Sequence, residues 1–338
     1  MSKKHRTSVS QDLQKALDLA QAQVLFNQSL QSPLLCIVGA TASGKSALAI
    51  QLAQKYNAEI ISVDASQVYR WLDIGTGKIT TAQQSLVPHH LIDCANPDEK
   101  FDAGLFCQKA DACIADIWQR GKRVILCGGT GLYFKALFYG LCATPEIDEG
   151  IKTQIQDRIN QGELGKLYDE LTEVDPILAQ KLDPQDKQRI ERALCVYLST
   201  QKPLSAWQAE HGFQVQRYAG LCLGIHWDRE VLNQRIALRI QEMFDQGFIK
   251  EVRSLIDQGY HQALQSLSAI GYRLVADALA HENPTWALKD AQEKMLFATR
   301  QYARRQERFF EYQLPTYWLD APVDSNVSER IVDQIWSN

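Results

Sequence analysis

The 338-residue sequence has no surplus of positive charge: 36 Lys and Arg stand against 40 Asp and Glu, for a formal net charge of −4. A protein that coats nucleic acid by charge alone is usually basic, so any nucleic acid here must be met by a local basic surface and by shape. No apolar run is long enough to span a bilayer, and Lys3-Lys4-His5-Arg6 is not followed by the apolar core of a secretory signal. The eight cysteines are scattered, with no C-x-x-C pair, and no zinc site is visible among them. Cys36, Cys127 and Cys222 sit in apolar runs, where a buried reduced thiol is expected. These absences place the chain in the cytoplasm, without a membrane partner. Internal repeats are lacking too, and the only biased segment is a polar, Gln-rich start. What remains is ordinary for a globular protein, 45% hydrophobic and 22% charged, and long enough for one large domain or a core with an insertion.

One segment carries most of the information. Gly39-Ala40-Thr41-Ala42-Ser43-Gly44-Lys45-Ser46 follows the apolar run Leu34–Val38 and leads into the helix-forming run Ala47–Ala53. Strand, glycine-bounded loop and helix in that order make a P-loop. Its backbone N–H groups wrap a phosphate while the helix dipole points at the same anion. Lys45 is placed to reach the terminal phosphate and Ser46 to hold Mg²⁺. The loop specifies a polyphosphate, as in ATP-binding and other nucleotide-binding proteins, without specifying a nucleotide.

Strands and helices alternate from residue 33 to about 140. Strands are expected at Leu34–Val38, Glu59–Val63, His90–Ile92 and Arg123–Cys127, with a helix over Ala103–Gln119. Apolar strands separated by helices imply a parallel sheet covered on both faces. Gly39, Asp64 and Gly128-Gly129-Thr130 then all fall at strand C-terminal ends, where one crevice is shared. Over 141–217 the strands stop, and helical segments are broken by Gly162, Pro176, Pro184 and Pro203, which reads as a helical insertion. Strand-like Gly220–Ile225 returns to the sheet, long helices follow, and Thr316–Leu319 is the last strand. The organisation expected is therefore a core of 33–140 and 218–338, an insertion over 141–217, and a polar, partly disordered extension over 1–32.

Asp64 closes an apolar strand beside the phosphate loop, so it reads either as a Mg²⁺ ligand or as a general base. Adjacent His89 and His90 on a strand point to opposite faces and are structural rather than metal ligands. Near the C-terminus, Arg300, Arg304 and Arg308 form an i, i+4, i+8 row, which is either a basic binding surface or a solvated helix face.

The wider pattern resembles the tRNA dimethylallyltransferases, from about residue 33 to 320. The matches are the P-loop, Asp64–Arg70, Asp73–Thr76, Val87–Asp93, Gly128–Tyr133, Asp186–Leu194, Arg235–Arg239, Met243, Gly247, Ala269–Arg273 and Thr299–Gln306. The P-loop alone is widely shared; the ordered set is specific. The resemblance implies a P-loop NTPase-like α/β fold with an inserted all-helical tRNA-binding domain. It also implies transfer of a dimethylallyl group from dimethylallyl diphosphate to the N6-amine of the adenosine 3′ of the anticodon, tRNA position 37.

In that reading Gly39, Ala40, Thr41, Ala42, Ser43, Gly44, Lys45 and Ser46 hold the diphosphate, with Mg²⁺ on Ser46, a Lys45 that is cationic throughout the reaction and a further contact from Arg239. The aspartate matching Asp64 takes the proton from the amine, and Thr130 orients that amine or caps the following helix. Gln67 has an amide able to read an adenine edge, or is an ordinary polar turn residue. The base must leave the anticodon-loop stack to reach the crevice. Contacts with the tRNA anticodon stem-loop fall by resemblance on Asp64, Ala65, Ser66, Gln67, Thr130, Lys152, Gln188, Arg189, Ile190, Glu191, Arg192, Ser268, Ala269, Ile270, Gly271, Tyr272 and Arg273. Arg300 and Arg304 of the basic row join them.

The chain departs from the family pattern at three places. Ala65 replaces a serine, Gly77-Lys78-Ile79 replaces Ala-Lys-Pro, and Arg308-Phe309-Phe310-Glu311 replaces Thr-Trp-Phe-Arg. The zinc finger of eukaryotic relatives is absent, as in a bacterial-type enzyme, and a monomer is expected. Two other readings remain at this point: a small-molecule P-loop kinase, and an RNA-binding protein that uses the P-loop as a switch.

Overall fold

The computed structural model describes residues 32–142, 144–145, 147–212 and 216–336. The extension expected over 1–32 therefore lies, save its last residue, outside the described residues. The chain divides into two compact units, Tyr139–Arg217 and the remainder.

The larger unit is built on six parallel strands, β1 (Leu34–Gly39), β2 (Ala58–Val63), β3 (His89–His90), β4 (Arg123–Gly128), β5 (Gly220–His226) and β6 (Thr316–Asp320), in the order β3-β2-β4-β1-β5-β6. Its helices are α1 (Lys45–Tyr56), α2 (Thr81–Leu86), α3 (Ala103–Gln119) and α4 (Gly131–Tyr139), then after the smaller unit α10 (Arg229–Asp245), α11 (Phe248–Asp257), α12 (His261–Ser266), α13 (Tyr272–Leu279), α14 (Pro284–Gln313) and α15 (Ser325–Trp336). The smaller unit holds α5 (Glu149–Asn160), α6 (Leu164–Val174), α7 (Pro176–Ala179), α8 (Lys187–Thr200) and α9 (Leu204–His211). No helix among the described residues is long and apolar enough to cross a membrane.

β1 and β2 are buried along their whole lengths, as their near-continuous apolar sequence requires in a sheet covered on both faces. On one face Leu35, Ile37, Ile125 and Leu223 pack against Leu48, Leu52 and Ala53 of α1 and Ile331, Val332 and Ile335 of α15. Alternation sends Leu34, Cys36 and Val38 to the other face. β4 lies between β1 and β2, and β5 lies on the far side of β1. The order therefore reverses at β1, which puts the crevice of a parallel sheet at its C-terminal end.

β3 starts one residue and ends two residues earlier than the sequence suggests, because Leu91 (φ 59°) and Asp93 (φ 55°) take left-handed conformations that end the strand. His89 Nδ1 meets the Val87 carbonyl at 2.7 Å, and His90 Nε2 meets Glu59 Oε2 at 2.7 Å. The two rings thus serve different partners. Glu59 is buried and also takes Arg120 and Lys122. The Arg120 hydrogen bonds hold its carboxyl well below the usual carboxylate range.

In the smaller unit, Ile155, Leu167, Leu171, Ile190 and Leu194 form a separate apolar core. Buried Asp175 joins two of its elements. One carboxylate oxygen accepts Leu178 N–H at 3.1 Å and caps α7, and the other accepts Ser205 N–H of α9 at 2.9 Å. An acceptor shared between two helix starts leaves neither set of amides orphaned.

Candidate active site

A cavity of about 500 Å³ opens where β1, β2 and β4 end, and the larger unit supplies its whole lining. That is the size of an ordinary small-molecule site. The P-loop forms its floor. Gly39 (φ 135°) and Gly44 (φ 95°) take conformations that a side chain strains, and a Cβ at Gly39 would fall 3.1 Å from the Ile225 carbonyl. The N-terminus of α1 has no side-chain cap and no acidic residue in its first turn. Its orphan amides and dipole are therefore available to an anion.

Three contacts hold the outside of this loop. Trp227 Nε1 donates to the Ser43 carbonyl at 2.9 Å, Arg235 Nε donates to the Ala42 carbonyl at 2.9 Å, and the Arg235 guanidinium stacks 4.4 Å from the Trp227 ring. Lys45 Nζ folds back to the Ala40 carbonyl at 2.6 Å. The Ser43 hydroxyl is buried and has no protein partner. A buried polar atom without a partner is uncommon, and here it lines the cavity, where a phosphate oxygen would satisfy it.

Burial pulls the Lys45 ammonium down to about 8, and the Arg239 charge pushes the same way, against the attraction of Asp64. Lys45 is thus a cation at neutral pH that discharges in mild alkali. Arg239, on α10, is also lowered by burial. It reaches the site because Ile236, Arg239, Ile240 and Met243 recur at helical spacing and line one side of the cavity. Its guanidinium fills the space that a Cβ at residue 77 would need, 1.9 Å from Nη2. That contact explains what the Gly77 departure accommodates.

Asp64 is anchored on one side. Its Oδ1 accepts Ser66 N–H at 2.8 Å and Gln67 N–H at 3.2 Å, leaving Oδ2 without a protein donor among the described residues. Thr130 Oγ1 accepts Ala65 N–H at 3.0 Å, so this hydroxyl ties the loop after β2 to the loop after β4. Ala65, Ser66 and Gln67 also line the cavity, as do Ser268, Ala269 and Ile270 from the segment before α13. Gly128 lets the two loops approach: a Cβ there would sit 2.0 Å from the Val63 carbonyl oxygen. Gly128→Ala is expected to cost about 1–3 kcal/mol or more through overpacking against backbone. Thermal unfolding should show a fall of several degrees, and an unchanged melting temperature would contradict the close approach.

Four residues expected at the RNA are buried, and of these Ala269 lines the cavity. Ile190 is fully buried in the core of the smaller unit. Tyr272 is fully buried in the larger one, and its hydroxyl donates to Glu251 Oε1 at 2.6 Å. Glu251 in turn accepts the amides of Asp73, Ile74 and Gly75 at 2.7–3.2 Å. Tyr272 therefore supports the loop that flanks the cavity. Gly271 is buried with φ 101°, and a Cβ there would press on Met295 Sδ at 2.7 Å, so it serves the packing of α13.

The other positions are accessible. Gln188 and Arg189 are exposed, with Arg189 paired to Asp186, and Arg192 donates to Thr144 Oγ1 at 2.6 Å. Glu191 accepts from Gln156 at 3.0 Å and Lys152 pairs with Glu149 at 3.1 Å. Arg273 is exposed beside Asp277, at 3.6 Å. On α14, Arg304 is exposed and Arg300 is half-buried, its Nε without a partner. The sequence reading gave no role to Trp227, Arg235, Glu251, Tyr302 or Gln306. Arg235 had a signal, its i, i+4 spacing from Arg239; the others act through contacts far apart in the chain.

A loop shaped to take an anion beside a strand end that presents a carboxylate is the arrangement of a P-loop enzyme of the group-transfer class. Comparison with known proteins narrows that class. The profile of the IPP transferase family matches residues 67–313, and the chain belongs to this family. The tRNA dimethylallyltransferase of Geobacter metallireducens is 43% identical over 289 residues, 86% of this chain and 93% of that protein. The crystal structure of the tRNA isopentenylpyrophosphate transferase of Bacillus halodurans is 32% identical, with a TM-score of 0.66, and covers 91% of this chain and 98% of its own. A eukaryotic dimethylallyltransferase captured acting on tRNA is 29% identical, with a TM-score of 0.71, covering 89% of this chain and 78% of its own.

Proposed function

We propose that this chain transfers a dimethylallyl group from dimethylallyl diphosphate to the N6-amine of the adenosine just 3′ of the anticodon in tRNA, releasing diphosphate. The observation that carries the reading is the anchored carboxylate of Asp64, with one oxygen free, in the same cavity as the P-loop, Lys45 and Arg239. The exocyclic amine is a poor nucleophile because its lone pair is delocalised into the ring. As the N6–C bond forms, the C–O bond to diphosphate breaks and its electron pair leaves with the diphosphate. Asp64 Oδ2 takes the amine proton. The amides of the α1 N-terminus, Lys45 and Arg239 stabilise the charge that gathers on the leaving group. Gln67 and Thr130 orient the flipped adenine, and the exposed arginines of α8 and α14 meet the tRNA backbone.

Mg²⁺ suits the oxygen donors here. The Ser46 hydroxyl is a hard ligand on the cavity wall, and Mg²⁺ is commonly held by one or two protein oxygens plus phosphate oxygens and water. When bound it neutralises leaving-group charge. The test is transfer of radiolabelled dimethylallyl groups to unmodified tRNA with Mg²⁺. Labelled tRNA is expected; turnover of ATP with no labelled tRNA would replace this reading by the kinase one.

A further inference from the structure

Gln306 is a buried polar side chain, 5% exposed, that the reaction above does not use. It lies on the inward face of α14 with Ala303 and Phe310. Its Oε1 accepts the amide of Thr41 at 2.8 Å, and its Nε2 donates to the Gly129 carbonyl at 3.0 Å. One partner is in the P-loop; the other precedes Thr130. The fit is close, since a Cβ at Gly129 would lie 2.0 Å from Nε2. Neighbouring Gly131 makes the same allowance for Phe309, whose Cδ1 lies 2.1 Å from a Cβ built there. The glycines after β4 thus admit α14 to the back of the site.

The connection continues to the carboxylate. One turn back on α14, Tyr302 lines the cavity, and its hydroxyl interacts with Thr130 and Gln306. Burial pushes that phenol up to about 12, so it stays neutral. Thr130 Oγ1 accepts from Ala65, next to Asp64. We infer that Gln306 is a positioning residue, an amide clamp that keeps the diphosphate cradle in register with the Asp64–Thr130 side of the cavity; this rests on the transfer reaction proposed above. An amide suits the place because one end must accept an N–H and the other must donate to a carbonyl. A carboxylate has no donor for Gly129. Register matters because displacement at carbon requires nucleophile and leaving group to be aligned within a few tenths of an ångström, and a shift of about 1 Å costs on the order of a hundredfold in rate.

The experiment compares wild type, Gln306→Glu, Gly129→Ala and the double variant. Single-turnover transfer is measured at saturating dimethylallyl diphosphate and tRNA, alongside affinity for inorganic diphosphate, affinity for tRNA and thermal unfolding. Each single variant is expected to slow transfer about tenfold or more while both affinities stay within about threefold. The double variant should be little slower than the slower single one, because both changes break one contact. A folded Gln306→Glu at wild-type rate, a loss of rate that merely tracks lost diphosphate affinity, or additive effects would each overturn the clamp. If Gln306→Glu does not fold, Gly129→Ala displaces the amide without removing it and decides the matter through the same comparison of rate with affinity. Absence of transfer by the wild type would overturn the reaction and the inference together; transfer by the wild type with unslowed variants sinks the inference alone.

Discussion

Replacing Asp64 by alanine is expected to slow dimethylallyl transfer to tRNA by about a hundredfold or more, the range for loss of a positioned general base. Affinity for diphosphate should hold. The structure makes the claim specific, because Oδ1 is occupied by the Ser66 and Gln67 amides while Oδ2 has no protein donor among the described residues. Asp64→Ala removes both functions, anchoring the turn and accepting the proton. Asp64→Asn separates them, since its amide oxygen can still accept the two N–H groups while the residue no longer takes a proton. Asn is therefore expected to retain the fold and the diphosphate affinity and still to lose the transfer step. Loss of Mg²⁺ or diphosphate binding in Asp64→Asn would instead place this carboxylate in the metal site, the alternative that the spacing leaves open.

The second large effect belongs to Lys45. Lys45→Met is expected to lower the transfer rate by about 10²–10³, the usual cost of removing one preorganised group from a developing anion. Unlike the Asp64 variants, it should also weaken diphosphate binding. The pH dependence carries the signature. The free enzyme holds Lys45 at about 8, below the ordinary lysine value, chiefly because burial disfavours the charge. Below that pH the ammonium is present and attracts the anion; above it the amine is neutral and the attraction is gone. Wild-type affinity for inorganic diphosphate should thus fall as pH rises from about 8 to 10. Bound anion favours the charged form, so binding near pH 8–9 should take up a fraction of a proton. Calorimetry in buffers of different ionisation enthalpy reads that uptake, and Lys45→Met should show neither effect. A wild-type affinity that is flat across this window would remove Lys45 from the diphosphate contact.

Much of the site was legible because its elements are local. Phosphate loop, strand end and glycine pair each occupy a few consecutive residues whose conformations are set by their own chemistry. Gly39 and Gly44 have positive φ because the loop must turn there, and Asp64 closes an apolar strand because a buried run ends where solvent returns. Residues of the segments expected to meet RNA were less legible. Ile190 and Tyr272 occur within matched segments, and a matched segment does not say which of its residues face the partner and which hold the segment up. Burial decides that, through helical phase in α8 and through the Glu251 contact in α13. The helix α15 was not anticipated at all. Its apolar residues recur at helical spacing, and Ile331, Val332, Ile335 and Trp336 all turn inward onto the sheet.

By itself, then, the sequence determined that a parallel sheet would present a P-loop and a carboxylate at strand ends on the same edge, because periodicity and turn chemistry act within a few residues. Only the tertiary structure decided how those pieces are held and charged. Gln306 reaches Thr41 across 265 residues of chain, and Arg235 and Trp227 reach the same loop from the other side. No local pattern encodes such a contact, since it exists only when both partners' scaffolds have packed. The Lys45 charge follows the same rule: its value depends on how much protein replaces water around the ammonium, and that is a property of the assembled cavity.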